Sequence, residues 1–269
     1  VSFVDAGTVS LHAKLTGAPE NAAVGGPPTL VYLHSLGTEM RIWDAVAEQL
    51  SHLPQLRLDL RGHGLSEAPT GDYSIAEMAA DVWGVLDQLN IGPVVMIGVS
   101  VGGQIALRAA FERPAQVMGV VALDTAARIR NRESWSERID LVRTRGLEPI
   151  ADETVARWFV TGVAKHNAVV VAGYRRMLMR TPLEGYLGTC AALRDEDLTP
   201  HLARITQPVL VVCGSHDAAT PPAVVRGLAQ GLPHARYVEI AAAGHLPCLD
   251  QPSATAAHID SFVRELASR

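Results

Sequence analysis

The sequence predicts an α/β fold: a mostly parallel sheet of about eight strands flanked by helices, with one inserted helical lid. Three observations predict it. Short apolar runs alternate with helical periods along the first half of the chain. The strand candidates are almost continuously apolar, which suits strands covered on both faces. After Leu123 the alternation stops, and helical patterns run without a convincing strand to about Ile205 before the strand–helix rhythm returns.

The elements follow in order. Val1 to Val4 and Val9 to Leu15 alternate apolar and polar residues around Asp5-Ala6-Gly7, the pattern of an opening hairpin. Gly17 to Pro28 is rich in Gly, Ala and Pro and reads as a surface loop. Leu30 to Leu33, Leu56 to Leu58, Val94 to Ile97 and Val117 to Leu123 are strands, separated by helices over Met40 to Leu50, Ser74 to Leu89 and the segment after Gly102. In the insertion the helix candidates are Glu133 to Arg145, Asp152 to Phe159, Ala168 to Met179 and Gly185 to Arg194. Val209 to Val212 and Tyr237 to Ile240 are the last strands, each followed by a helix: Ala223 to Gln230 and Ser253 to Leu266. The division expected is a core of residues 1–127 and 206–269 with a lid of 128–205 over the C-terminal edge of the sheet, where open α/β folds bind ligands.

Composition narrows the function classes. At 48% hydrophobic and 19% charged residues, the 269-residue chain can bury a large core and has no disorder signature. Its net charge of −5 offers no basic footprint for nucleic acid, and means that an anionic substrate needs a local cation. The three cysteines, Cys190, Cys213 and Cys248, are odd in number and lack metal-type pairing. No stretch reads as a signal peptide or membrane span, so a cytoplasmic location is expected, with no membrane partner and the oligomeric state left open.

The chemistry starts at Gly98-Val99-Ser100-Val101-Gly102, a G-x-S-x-G between a strand and a helix. On such a corner it reads as a nucleophile elbow, with small residues flanking Ser100 because backbones crowd a sharp turn. A serine hydroxyl needs a base, and the base an orienting acid. Asp217 lies just past the strand Val209 to Val212, and His245 just past Tyr237 to Ile240. A purely structural reading makes Asp217 a helix cap before Pro221-Pro222. His216 is the rival base, but acid and base must meet across neighbouring loops, which consecutive residues do not do. Acyl transfer also needs donors for the oxyanion. The Val101 N–H is one, and the loop His34-Ser35-Leu36-Gly37 supplies the other, Leu36 by position with Ser35 as the alternative.

These motifs, with Arg61-Gly62-His63-Gly64-Leu65-Ser66, Gly214-Ser215-His216-Asp217 and Gly244-His245, resemble the α/β-hydrolase superfamily over essentially the whole chain. The resemblance implies the α/β-hydrolase fold. Ser35-Leu36-Gly37-Thr38, Asp124 to Ile129, Trp135, Arg157-Trp158-Phe159 and Glu184-Gly185-Tyr186 with Cys190 are similar to 3-oxoadipate enol-lactonases. Two positions depart from that subfamily: His34 stands where Asn is common, and Val101 where Met is common. The resemblance implies a Ser-His-Asp hydrolase of 3-oxoadipate enol-lactone in aromatic-compound catabolism, working through an acyl-enzyme, with no metal or organic cofactor.

A small anionic lactone carries a carboxylate, and Arg128, at the hand-over from core to lid, is the expected clamp. A solvent-exposed or core-to-lid ion pair is its bland alternative. Trp135 is expected on the lid face of the pocket or in lid packing, Trp158 and Phe159 in lid core, and Arg61 and His63 in stabilising their own loop. Cys248 reads as an inert small hydrophobe. Other readings are a carboxylesterase, another lactonase, a carbon–carbon bond hydrolase, or a ligand-binding receptor on a hydrolase scaffold. Ser100 disfavours chemistries that need an aspartate nucleophile.

Overall fold

The computed structural model describes residues 2–17, 26–160 and 167–268. Eight strands form one sheet: β1 (Ser2–Asp5), β2 (Ser10–Thr16), β3 (Thr29–Leu33), β4 (Gln55–Leu58), β5 (Val94–Val99), β6 (Val117–Leu123), β7 (Val209–Gly214) and β8 (Ala235–Ile240). Their spatial order is β1-β2-β4-β3-β5-β6-β7-β8. The β1/β2 and β2/β4 pairs are antiparallel and the others parallel. Every residue of β4, β5 and β7 is buried, as the near-continuous apolar runs require of strands covered on both faces. The edge strand β8 keeps Arg236 and Glu239 in an exposed ion-pairing surface, which discourages edge-to-edge pairing.

Three helices flank the first half of the sheet: α1 (Asp44–Gln49), α2 (Ile75–Gln88) and α3 (Val101–Glu112). The expected helix over Met40 to Leu50 is divided, because a 3-10 turn, Met40–Trp43, precedes α1. Asp59 Oδ1 accepts the Met40 N–H at 2.8 Å, while Ile42 and Trp43 are fully buried. The tighter turn serves both contacts. The start of α2 is fixed by a capping box: Ser74 Oγ accepts the Glu77 N–H at 3.1 Å, and the Ser74 N–H donates to Glu77 Oε2 at 2.9 Å. Its buried Ile75, Met78, Ala79, Val82, Val85 and Leu86 follow the helical period.

Between β6 and β7 lie α4 (Arg132–Arg145), α5 (Glu148–Trp158), α6 (Ala168–Met179), α7 (Leu183–Asp195) and a 3-10 turn, Thr199–Arg204, with no strand among the described residues. Within this block α4 packs on α7, and α5 on α6. Helix α5 begins at Glu148 rather than Asp152, since Pro149 falls in its first turn, where a missing N–H costs nothing. The chain ends with α8 (Pro222–Gly231), α9 (Pro247–Asp250) and α10 (Pro252–Ala267). Of the predicted surface loop from Gly17 to Pro28, residues 18–25 lie outside the described residues. No helix among those described is long and apolar enough to cross a membrane.

The parallel register decides where chemistry collects. Leu33 pairs with Gly98, Val99 with Leu123, Leu123 with Val212, and Gly214 with Ile240. The five strand ends are therefore level, and the loops leaving them share one edge.

Candidate active site

Ser100 sits between β5 and α3 with φ 58° and ψ −120°, a conformation an L-residue adopts only under constraint. The constraint is visible on both sides. A Cβ on Gly98 would come within 2.1 Å of the Gly102 carbonyl oxygen, and one on Gly102 within 2.4 Å of the Leu33 oxygen. The Ser100 N–H donates to the Leu123 oxygen at 2.9 Å, and the Thr125 hydroxyl donates to the Ser100 oxygen at 2.7 Å. The nucleophile candidate is thus tied to the strand beside it.

In the loop after β3, the Ser35 N–H donates to Thr38 Oγ1 at 3.1 Å, Gly37 N–H to His63 Nε2 at 3.0 Å, and Thr38 N–H to the Ser35 oxygen at 3.1 Å. Only the Leu36 amide makes no hydrogen bond among the described residues, so the Ser35 alternative for an oxyanion donor is already spent. The Val101 amide, at the first turn of α3, is likewise uncommitted. His34, the departure at this loop, is fully buried; its Nδ1–H donates to the Ser35 oxygen at 2.8 Å and its Nε2 accepts the Leu60 N–H at 2.9 Å. Both rings of the His34–His63 pair, with centroids 5.1 Å apart, brace the loop as neutral imidazoles, and burial holds both below the ordinary histidine range. Arg61 anchors the neighbouring loop by a buried pair with Asp81, at 2.5 and 2.7 Å.

His245 Nδ1 donates to Asp217 Oδ2 at 2.9 Å, with both residues buried. The loops that carry them touch: a Cβ on Gly214 would lie 2.1 Å from the Gly244 oxygen. Asp217 also accepts the Ala219 N–H at 2.7 Å, the Thr220 N–H at 3.2 Å and the Thr220 hydroxyl at 2.6 Å. Burial alone would raise its carboxyl, but the His245 charge and these donors hold it below the usual carboxylate range. The rival His216 is exposed and turned to Ser215 Oγ at 2.8 Å.

Ser100 and His245 open onto one cavity of about 190 Å³, with Leu36, Trp135, Trp158 and Tyr186 in its walls. No hydrogen bond joins Ser100 to His245 directly; such contacts tighten when substrate binds. Trp135 reaches the cavity as expected, its Nε1–H fixed on the Ile129 oxygen at 2.6 Å. Arg128 does not. It is half exposed, lies 3.6 Å from Asp197, and takes no part in the cavity wall. The expected clamp role is therefore corrected: Arg128 is a solvent-exposed ion pair with Asp197, both partners lying in the insertion, and it sits outside the cavity.

The cations that line this cavity with Ser100 are Arg130, Arg138 and Arg157. Arg138 donates from Nε to the Tyr186 hydroxyl at 3.0 Å and also to the Thr154 hydroxyl, both neutral partners. Arg157 pairs with Glu153. Arg130 has no carboxylate partner among the described residues and lies 5.7 Å from the Trp135 ring centroid. Partial desolvation, and then the Arg157 and Arg138 charges, pull its guanidinium below the ordinary arginine value. Three guanidiniums with one carboxylate among them leave an unbalanced positive field at the cavity. In the sequence Arg157 appears in the string Arg157-Trp158-Phe159, while Arg130 and Arg138 are hidden among the insertion's many arginines. Arg130 against Trp135 and Arg138 on Thr154 and Tyr186 are marked out by neutral partners.

Cys190, Cys213 and Cys248 are buried free thiols, and burial pushes Cys190 up to about 12. They are inert at neutral pH.

A sequence pattern of the alpha/beta hydrolase family matches residues 30–258. A 3-oxoadipate enol-lactonase of Acinetobacter baylyi is 34% identical over 231 residues, 84% of this chain and 85% of that protein. A pimeloyl-[acyl-carrier protein] methyl ester esterase of Nitrosomonas europaea is 30% identical, covering 90% of this chain and 95% of its own. Among solved structures, the enol-lactonase from Burkholderia xenovorans LB400 superposes with a TM-score of 0.93 at 34% identity, over 98% of this chain and 100% of that one. A level row of strand ends carrying Ser100, Asp217 and His245, and these whole-length likenesses, agree: the chain belongs to the alpha/beta hydrolase family.

Proposed function

We propose that the protein is a serine hydrolase of a small anionic enol-lactone, with 3-oxoadipate enol-lactone as its substrate. The observation that carries the reading is the set of three arginines that line one small cavity with Ser100. The likeness to two 3-oxoadipate enol-lactonases of Acinetobacter baylyi, at 34% and 30% identity, supports it independently.

The chemistry follows from the geometry. His245 Nε2 takes the proton of the Ser100 hydroxyl as Oγ attacks the lactone carbonyl. Asp217 holds the Nδ1–H and stabilises the imidazolium that forms. The Leu36 and Val101 amides, neither of them engaged within the protein, receive the oxyanion. Collapse of the tetrahedral intermediate breaks the ring C–O bond and expels an enolate. That enolate stays tethered to the acyl chain, takes the proton from His245, and becomes a ketone by tautomerisation. Water, deprotonated by His245, then cleaves the ester to Ser100 and releases the dicarboxylate. Arg130, with Arg138 beside it, pairs with the substrate carboxylate and orients the ring.

The test offers freshly generated 3-oxoadipate enol-lactone to the purified protein and follows loss of its ultraviolet absorbance, beside p-nitrophenyl acetate. A kcat/KM for the lactone at least about a hundredfold above that for the neutral ester is the expected result. Good ester turnover without lactone turnover would replace this reading with a simple carboxylesterase, the second activity named among the relatives.

A further inference from the structure

A second carboxyl group stands at the acid–base pair. Asp124, the residue after β6, is fully buried and held at φ 44°, a left-handed conformation for a non-glycine residue. One oxygen each of Asp124 and Asp217 and one ring nitrogen of His245 all lie within 4.8 Å of one another. Asp124 Oδ1 accepts the Gly214 N–H at 2.8 Å, while Oδ2 is buried and receives no hydrogen bond.

Two carboxylates cannot both be ionised at that spacing in a buried site. The donor sets decide which one keeps the charge. Asp217 receives Ala219 N–H, Thr220 N–H, the Thr220 hydroxyl and His245 Nδ1–H. Asp124 receives a single backbone donor, the Gly214 N–H, with the weak Cys213 thiol beside it. We propose that Asp124 is a positioning residue of the triad, the proton-bearing partner of a carboxyl–carboxylate pair whose Oδ2–H is given to Asp217 and fixes that carboxylate against His245.

The same division of charge follows from the surroundings. Burial, and then the Asp217 charge, push Asp124 well above the usual carboxylate range, while Asp217 is held below it. The titratable groups facing Asp124 are Asp217 and Cys213 from β7 and its loop, His245 from the loop after β8, and Cys248 from α9. Burial raises both thiols, so they stay neutral and leave Asp217 as the anion of the group. A carboxylic acid in this position fills space, satisfies Gly214 and donates; a second anion would compete with Asp217 for the imidazolium.

The proposal rests on reading Asp217 and His245 as the acid–base pair, and its test therefore has one arm that needs no activity. Infrared spectra of the full-length protein at pH 7 are expected to contain a protonated-carboxyl stretch that Asp124→Asn removes. An unchanged spectrum in that region overturns the proposal. The second arm is p-nitrophenyl acetate hydrolysis, which does not depend on the lactone assignment. Asn keeps both an acceptor for Gly214 and a donor for Asp217, so Asp124→Asn is expected to keep kcat within about threefold. Asp124→Ala loses the donor and is expected to lower kcat about tenfold or more with KM little moved. Equal losses in the two variants, with native circular dichroism, would show that the proton of Asp124 does not matter and overturn the proposal. If the Ala variant fails to fold, the infrared arm with Asp124→Asn still decides.

Discussion

His63 Nε2 accepts the Gly37 N–H at 3.0 Å, a bond between the loop after β4 and the loop after β3. It engages the amide next to Leu36 and so leaves Leu36 as the unpaired donor of its turn. His63→Ala strands the Gly37 N–H and frees the turn. We expect kcat to fall about tenfold to a hundredfold, less than the roughly hundredfold to thousandfold lost when an oxyanion donor is removed outright, with KM moving far less. Steady-state kinetics on p-nitrophenyl acetate check it, and a KM effect with kcat intact would count against the bracing role.

The same residue links stability to pH. Burial, and then the neighbouring His34, push the His63 imidazole down to about 3. In the unfolded chain it titrates near the ordinary ~6.5. Between those two values the unfolded state binds more protons, so stability is full above about pH 6.5 and falls as pH drops, by up to ~1.4 kcal/mol per pH unit from this residue. Fully buried His34, also lowered, acts in the same direction. Urea unfolding at pH 7, 6 and 5 should show declining free energies, with a shallower decline in His63→Gln. Parallel declines in the two proteins would remove His63 as the cause.

Arg130 and Arg128 are two residues apart and should behave oppositely. Arg130 faces the cavity, whereas Arg128 pairs with Asp197 at the surface. A hydrogen bond to a charged group is worth ~1.5–3 kcal/mol, so Arg130→Ala should cost about tenfold to a hundredfold in kcat/KM on the anionic lactone. On p-nitrophenyl acetate it should cost less than about twofold, and Arg128→Ala should cost that little on both, as exposed ion pairs do. Equal losses by Arg130→Ala on lactone and neutral ester would leave the arginine without a substrate to bind.

The elbow is steric before it is chemical. A Cβ on Gly98 meets the Gly102 oxygen at 2.1 Å, and that oxygen is backbone, unable to swing away. Gly98→Ala is expected to destabilise by roughly 2–4 kcal/mol and to remove most esterase activity, because relief of the clash moves Ser100 off its strand end. Thermal unfolding with parallel activity assays tests this, and a variant of native stability and activity would refute the packing argument.

Much of this was legible in the residues. Apolar strand runs, the G-x-S-x-G corner and the order of Ser100, Asp217 and His245 are local patterns, and each is answered by a strand end in the level parallel sheet. Leu36 was identifiable by position, but only the hydrogen bonds of Ser35, Gly37 and Thr38 show why it alone is free. What the sequence hid were facts of direction. Arg130 lines the cavity and Arg128 does not, a difference set by the backbone path after β6, which no periodicity encodes. Asp124 stands out only as the start of the string Asp124 to Ile129 after a strand; its place in the site emerges only when β6 and β7 bring it beside Asp217.

The central claim is that Ser100 attacks an anionic enol-lactone with His245 and Asp217 behind it. It is tested most directly by the kcat of Ser100→Ala beside the parent on 3-oxoadipate enol-lactone, followed by loss of the lactone's ultraviolet absorbance. The account predicts rapid turnover by the parent and a loss of about a thousandfold or more in the variant. Lactone turnover that survives in Ser100→Ala would contradict it.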